Sequence, residues 1–165
     1  MSDQTSVPDY YYDGRTRVHF ELDRTNAVVI DGERAARLLG DGRMSEIQVE
    51  GDELLHGLIL FEPGVLAPEE IERLEEGGAL LLTFVMGGVR AVILPELFIY
   101  CSDKDQKALI ERLGSRITIL ARDTDYLKVR VTSGRSDDAL LIANELTEQM
   151  SGVTAAPHFL RLRMP

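Results

Sequence analysis

The order of strand-like and helix-like stretches from Glu96 to Met164 restricts this chain more than any other feature. ELFIYCS is an apolar and aromatic run that predicts a strand. SDKDQKALIERLG follows as a helix, with Ser102 and Asp105 at capping-box spacing and Gly114 as its stop. RITILAR and YLKVRVT predict two strands separated by DTD, and period-two alternation in KVRVT supports the second. SDDALLIANELTEQMSG sets Ala139, Ala143, Leu146 and Met150 on one helical stripe, with Asp137 and Asp138 at its start and Gly152 after its end. APHFLRLRM closes the series as an alternating strand. The order is βαββαβ. Two right-handed crossovers satisfy it by interleaving into a four-stranded antiparallel sheet with both helices on one face. The expected class is therefore α+β with a ferredoxin-like C-terminal part, whose other sheet face must be covered by the first half of the chain or by a partner.

The first half predicts a smaller α+β region. Arg17–Phe20 and Ala27–Ile30 read as two strands about a turn at Asp23–Asn26, and GERAARLL as a short helix stopped by GDG. EIQVE alternates and predicts a strand; LLHGLILFE predicts a strand buried on both faces. APEEIERLEEGG has Pro68 in its first turn, Glu69 and Glu70 near the positive end of the dipole, and a glycine pair as its stop. Its stripe of Ile71 and Leu74 predicts a surface helix. ALLLTFVM and VRAVIL flank Gly87-Gly88, which suits a primed hairpin turn, and Pro95 is expected between strands or on an edge. The expected organisation is an N-terminal arm over 1–15, an α+β region over 16–94 and the βαββαβ domain over 95–165.

Composition narrows the function. A net charge of −10 with scattered basic residues argues against general nucleic-acid binding, which needs a basic stripe to neutralise phosphates. The amino terminus lacks a signal-peptide pattern, and no apolar run approaches the ~18 residues of a membrane span. The expectation is a soluble, cytoplasmic protein. Cys101 is the only cysteine, so it forms no intrachain disulfide and is expected as a free thiol in a strand.

No catalytic constellation is legible. G-x-S-x-G is absent, and Ser133 and Ser151 precede glycines that read as a turn and a helix stop. His19, His56 and His158 stand alone in strand-like runs and are expected as partly buried structural residues, because a zinc site needs convergent ligands. Asp123 and Asp125 flank Thr124 in a loop too short for a calcium site and read as a turn. Gly40 and Gly42 lack the third glycine and the strand-to-helix setting of a phosphate-binding loop. Phe84, Phe98, Tyr100, Tyr126 and Phe159 could form a base-stacking surface, but no RNA-recognition segment accompanies them and core packing is the expectation. Tyr10, Tyr11 and Tyr12 either anchor the arm or contact a partner. No metal or cofactor is expected.

The second half, through YLKVRV, DALLIANEL and AAPHFL, resembles the fervidolysin-like propeptide domain of bacterial subtilisin-like serine peptidases. Upstream, PDYYYDGRTRVHFELDRTNAVVI is similar to the leader of such precursors. The resemblance implies a domain that packs its open sheet face on a peptidase and sends an extended carboxyl-terminal segment into the cleft, assisting folding and inhibiting. Phe159, Leu160, Arg161, Leu162, Arg163 and Met164 would then bind the partner, with Leu160, Leu162 and Met164 facing one way and both arginines the other, as strand addition to an edge allows. No H-G-T-H-like or G-T-S-M-A-like segment occurs, so the chain is not expected to be an enzyme. Pro165 suits a subtilisin cleavage point poorly, which favours action in trans on a separate peptidase. Two alternatives stand beside this reading: a small-ligand regulatory βαββαβ domain and a general protein-protein adaptor.

Overall fold

A computed structural model describes residues 7–23, 28–54 and 57–162. Strands β1 (Tyr10–Asp13), β2 (Thr16–His19) and β3 (Glu21–Leu22) come first, followed by β4 (Val28–Asp31), α1 (Gly32–Leu39), α2 (Asp41–Glu50), β5 (Asp52–Glu53) and β6 (Leu58–Phe61). Then come α3 (Pro68–Glu76), β7 (Leu80–Leu81), β8 (Thr83–Met86), β9 (Val89–Tyr100), α4 (Asp103–Leu113), β10 (Ile117–Asp123), β11 (Tyr126–Val131), α5 (Ser136–Gln149) and β12 (Thr154–Leu162). The protein is mixed α+β. It divides into two compact units, neither a single run of sequence: a C-terminal unit of residues up to Glu21 with Ile93–Phe159, and an inserted unit of Leu22–Val92 with the closing residues from Leu160.

In the inserted unit, the strands of one sheet lie in the order β5-β6-β4-β7, all antiparallel. Val28, Ile30, Ile59 and Phe61 alternate onto one face and form a core with Ala35, Met44, Ile47 and Leu74 from all three helices. Asp31 ends β4 and caps α1 at once, its carboxylate accepting from the backbone N–H groups of Glu33 at 3.1 Å and Arg34 at 3.2 Å. Helices α1 and α3 approach closely: a Cβ on Gly77 would overlap the end of the Leu38 side chain, which would have to move aside to admit it. Gly87 and Gly88, at φ 56° and 80°, make the expected primed turn between β8 and β9.

Four expectations for this half are corrected. EIQVE is the end of helix α2; its alternation rests on Ile47, which is buried, and Val49, which is 83% exposed, whereas Met44 and Ile47 share a buried helical stripe three residues apart. The Arg17–Phe20 segment pairs with Tyr10–Asp13, and β4 pairs with β6 and β7, so the two are not one hairpin. Most of the turn expected between them, residues 24–26, lies outside the described residues, as do Ala27 and His56. ALLLTFVM divides into β7 and β8 at Leu82. Pro95 does not interrupt β9: residues 89–92 register with β8 and 96–100 with β11, and Pro95 falls between these two runs. The surface helix α3 buries Leu74 completely.

In the C-terminal unit, the order is β10-β11-β9, with β12 also paired to β9. Counted from β4 in one unit and from β9 in the other, the four strands of each run lie with the second beside the third, the third beside the first, and the first beside the fourth. Leu97, Ile99, Leu127, Val129 and Val131 alternate onto one face and pack with Leu109 and Leu113 of α4 and Ala139, Ile142, Ala143 and Leu146 of α5. Ser102 caps α4, its hydroxyl accepting from the N–H of Asp105 at 3.3 Å. The β1–β2 hairpin closes on α5. Asn144 donates to the Tyr10 carbonyl at 3.0 Å and the Tyr12 hydroxyl donates to Glu148 at 2.9 Å, so the tyrosine cluster is an anchor.

Candidate protein-docking face

Strict alternation in β9 and β11 decides what the sheet of the C-terminal unit shows on the side away from its helices. With Leu97, Ile99, Leu127 and Val129 committed to the core, Glu96, Phe98 and Tyr100 of β9 and Tyr126, Lys128 and Arg130 of β11 point the other way. Antiparallel register sets them in rows: Tyr126 opposite Tyr100, Lys128 opposite Phe98 and Arg130 opposite Glu96. β12 adds His158.

The rows interact. Phe98 stacks on Tyr126 with ring centroids 6.1 Å apart, Tyr126 meets Tyr100 at 5.9 Å, and His158 stands edge-on to Phe98 at 4.9 Å. Lys128 Nζ lies 5.5 Å from the Phe98 ring centroid. Glu96 gathers the charges at one end, its carboxylate 3.2 Å from His158 Nδ1 and 4.0 Å from Lys128 Nζ. Phe98, Tyr126, Lys128 and His158 are half-buried, while Tyr100 is 53% exposed and Arg130 is exposed. Such a surface offers flat apolar area, a phenol and a guanidinium, the chemistry enriched at protein interfaces.

The expectation that the aromatic residues are core therefore divides. Phe84 is buried; Phe98, Tyr100 and Tyr126 line the outward face. Their signal was present in YLKVRV, where Tyr126, Lys128 and Arg130 alternate with three buried apolar residues, but FIY carries aromatic or aliphatic groups at every position and hides its phase. His158 is half-buried beside Glu96, whereas His19 is exposed near Asp9.

Of the residues expected to bind a partner, Phe159, Leu160, Arg161 and Leu162 continue β12, and Arg163 and Met164 lie outside the described residues. Phe159 packs edge-on against Tyr11 at 4.7 Å. Arg161 is exposed and Leu162 is buried at 7% exposure, as alternation requires.

Cys101, one residue past β9, is a buried free thiol; burial pushes its pKa up, and nearby Asp105 adds to the rise, so the thiolate is disfavoured. Asp123 accepts from the N–H of Thr124 at 2.8 Å, a turn as expected. Among the described residues no cluster of His, Cys, Asp and Glu could hold a metal ion, and no helix is long and apolar enough to cross a membrane. A separate hollow of about 280 Å³ is lined by Ser115, Arg116, Val131, Ser133, Asp138 and Ile142. No family model, curated protein or solved structure matches the chain.

Proposed function

We propose that this chain is a non-catalytic protein-binding module, with a ferredoxin-like βαββαβ C-terminal unit of the propeptide kind, that docks on a subtilisin-like serine peptidase in trans. The supporting observation is the sheet face bearing Phe98, Tyr100, Tyr126, Lys128 and Arg130, with the helices of its unit packed on the reverse. A rigid strand scaffold presents these groups without further ordering, which lowers the entropic cost of association. The carboxyl-terminal residues from Leu160 are the second contact in this reading, extending β12 along the peptidase backbone.

The test is inhibition of a purified subtilisin-type peptidase by the intact chain, with affinity measured by calorimetry. Tyr100→Ala and Arg130→Ala are expected to weaken binding by about tenfold or more each, the range of interface anchors. Absence of binding or inhibition would exclude the peptidase reading. Binding that ignores both substitutions yet vanishes on deletion of residues 160–165 would move the contact to the tail. The small-ligand alternative draws on the hollow beside Arg116 and Ser133; clear stabilisation by an amino acid or nucleotide in a thermal-shift screen would favour it.

A further inference from the structure

The turn that ends α4 and the turn that leads into α5 meet at one corner of the C-terminal unit. Gly114, at φ 52°, stops α4 and opens the turn Gly114–Arg116 into β10, and Gly134, at φ 69°, bends the chain between β11 and α5. Thr132 fastens the two turns, its N–H donating to the Arg116 carbonyl at 2.9 Å and its hydroxyl to the Ser115 carbonyl. Here lies the hollow of about 280 Å³ lined by Ser115, Arg116, Val131, Ser133, Asp138 and Ile142. Val131 and Ile142 belong to the core between sheet and helices, so the hollow is on the helix side of the sheet, away from the face that bears Phe98 and Tyr100.

Its two charges are left for something else. Arg116 and Asp138 both line the hollow but do not pair with each other. Glu145 steadies the guanidinium from one side, 3.5 Å from Nη2, and so engages one of its nitrogens. Asp137 is held by Arg135 at 3.2 Å, whereas among the described residues no cation pairs with half-buried Asp138. A carboxylate that gives up hydration without gaining a partner carries a cost that a bound cation would offset. Beside these charges, the Ser133 hydroxyl oxygen accepts from the Arg135 N–H at 3.2 Å, which leaves its O–H to donate.

From this arrangement we infer that the hollow binds a free α-amino acid with an apolar side chain of the leucine or valine kind. Arg116 and the Ser115 and Ser133 hydroxyls take the carboxylate, Asp138 takes the ammonium, and the side chain lies on Val131 and Ile142. The volume falls below the ~300–1,000 Å³ of sites for drug-sized ligands, which suits so small a molecule. A nucleotide fits poorly: no aromatic residue is among the lining residues to stack a base, and Asp138 and Glu145 would repel its phosphates. A lone carboxylate or a lone amine would satisfy one charge and leave the other unpaired; a zwitterion answers both. The assignment deepens the small-ligand reading of the hollow and does not rest on the docking face.

Titration of the isotopically labelled full chain with L-leucine, followed through its amide NMR signals, tests the assignment. Saturable shifts centred on residues 114–116 and 131–142 are expected, with dissociation at about 1 mM because Arg116 is exposed to screening. Isocaproate, which lacks the ammonium, and isopentylamine, which lacks the carboxylate, should bind about tenfold more weakly. Arg116→Gln and Asp138→Asn should each weaken leucine about tenfold. Asp138→Asn should also bring leucine and isocaproate to similar affinity, a change that general loss of structure would not produce. Ser115→Leu, which fills the hollow without altering charge, should abolish binding, while Tyr100→Ala should leave it unchanged. No saturable shift with leucine, either analogue binding as well as leucine, or binding indifferent to Asp138→Asn and to Ser115→Leu would each overturn the assignment. A nucleotide that moves these amides where leucine does not would also overturn it, while keeping a different ligand in the hollow.

Discussion

Glu70 illustrates how much a single side chain can carry. One carboxylate oxygen accepts from Arg43 Nη2 at 2.8 Å and from the backbone N–H of Ala67 at 3.0 Å; the other accepts from Arg43 Nε at 2.7 Å. The guanidinium thus ties α2 to the first turn of α3, and it also donates to the Val65 carbonyl at 3.0 Å. Arg43 chiefly, with the Ala67 N–H adding to it against some desolvation, holds the Glu70 pKa down at about 2 from an ordinary 4.5. A depressed carboxyl pKa stabilises the folded state above the unfolded value, and that contribution is lost as pH falls through the folded value. Glu70→Gln should therefore be less stable than wild type at pH 7, with the difference shrinking from about pH 4.5 and vanishing near pH 2, as urea unfolding at several pH values will show. PEEIERLEE announced Glu70 as a favourable first-turn residue, but its fork with Arg43 was not legible, because the two stand 27 residues apart.

At the scale of elements, helices were legible where their ends carry local chemistry. Ser102 and Gly114 bound α4, Pro68 and Gly77 bound α3, and each end is set by groups within a turn of it. α2 was misread because five residues of alternation suit a strand or a helix, and only the burial of Met44 decides. Gly152 marked the end of α5, but the cation that satisfies its last carbonyls was beyond local reading. Arg15, in the β1–β2 turn, donates to the carbonyls of Thr147 at 2.7 Å, Met150 and Val153 at 3.1 Å, and Ser151. A planar cation there satisfies orphan carbonyls and opposes the negative end of the dipole. Arg15→Ala should cost about 1–2 kcal/mol in chemical denaturation, and Arg15→Lys should recover only part, since one ammonium cannot span the same fork. An unchanged denaturation midpoint in Arg15→Ala would show that the contact contributes nothing.

At the scale of the whole molecule, the C-terminal unit joins residues about as far apart in sequence as the chain allows. The hairpin of β1 and β2 is held to α5 by Asn144, Glu148 and the Tyr11–Phe159 ring contact, so it should unfold with that helix rather than fray as a terminus. Leu146→Ala removes a wholly buried side chain from the core of the unit and should cost about 2–5 kcal/mol. Hydrogen exchange should then show amides of β2 losing protection together with those of β11 and α5. Protection of β2 that stays at its wild-type level, or is absent from the start, would contradict this coupling. Within the inserted unit, buried Asp23 lies 2.9 Å from Arg90, a link between the segment after β3 and β9 that sequence distance again concealed.

The α+β class, the glycine turn at 87–88 and the capped helices were legible in the sequence, because these rest on interactions spanning a few residues. The resemblance to peptidase propeptides rests on the same local patterning and stands as the proposal to test. Tertiary structure alone decided the partners: which strand lies beside which, that Tyr10–Asp13 pairs with Thr16–His19 and closes on α5, and that Phe98, Tyr100 and Tyr126 face outward together. Burial is a property of what packs on a face. A single segment states only the period of its own side chains, and where every position is apolar, as in LFIY, even the phase must come from the rest of the fold.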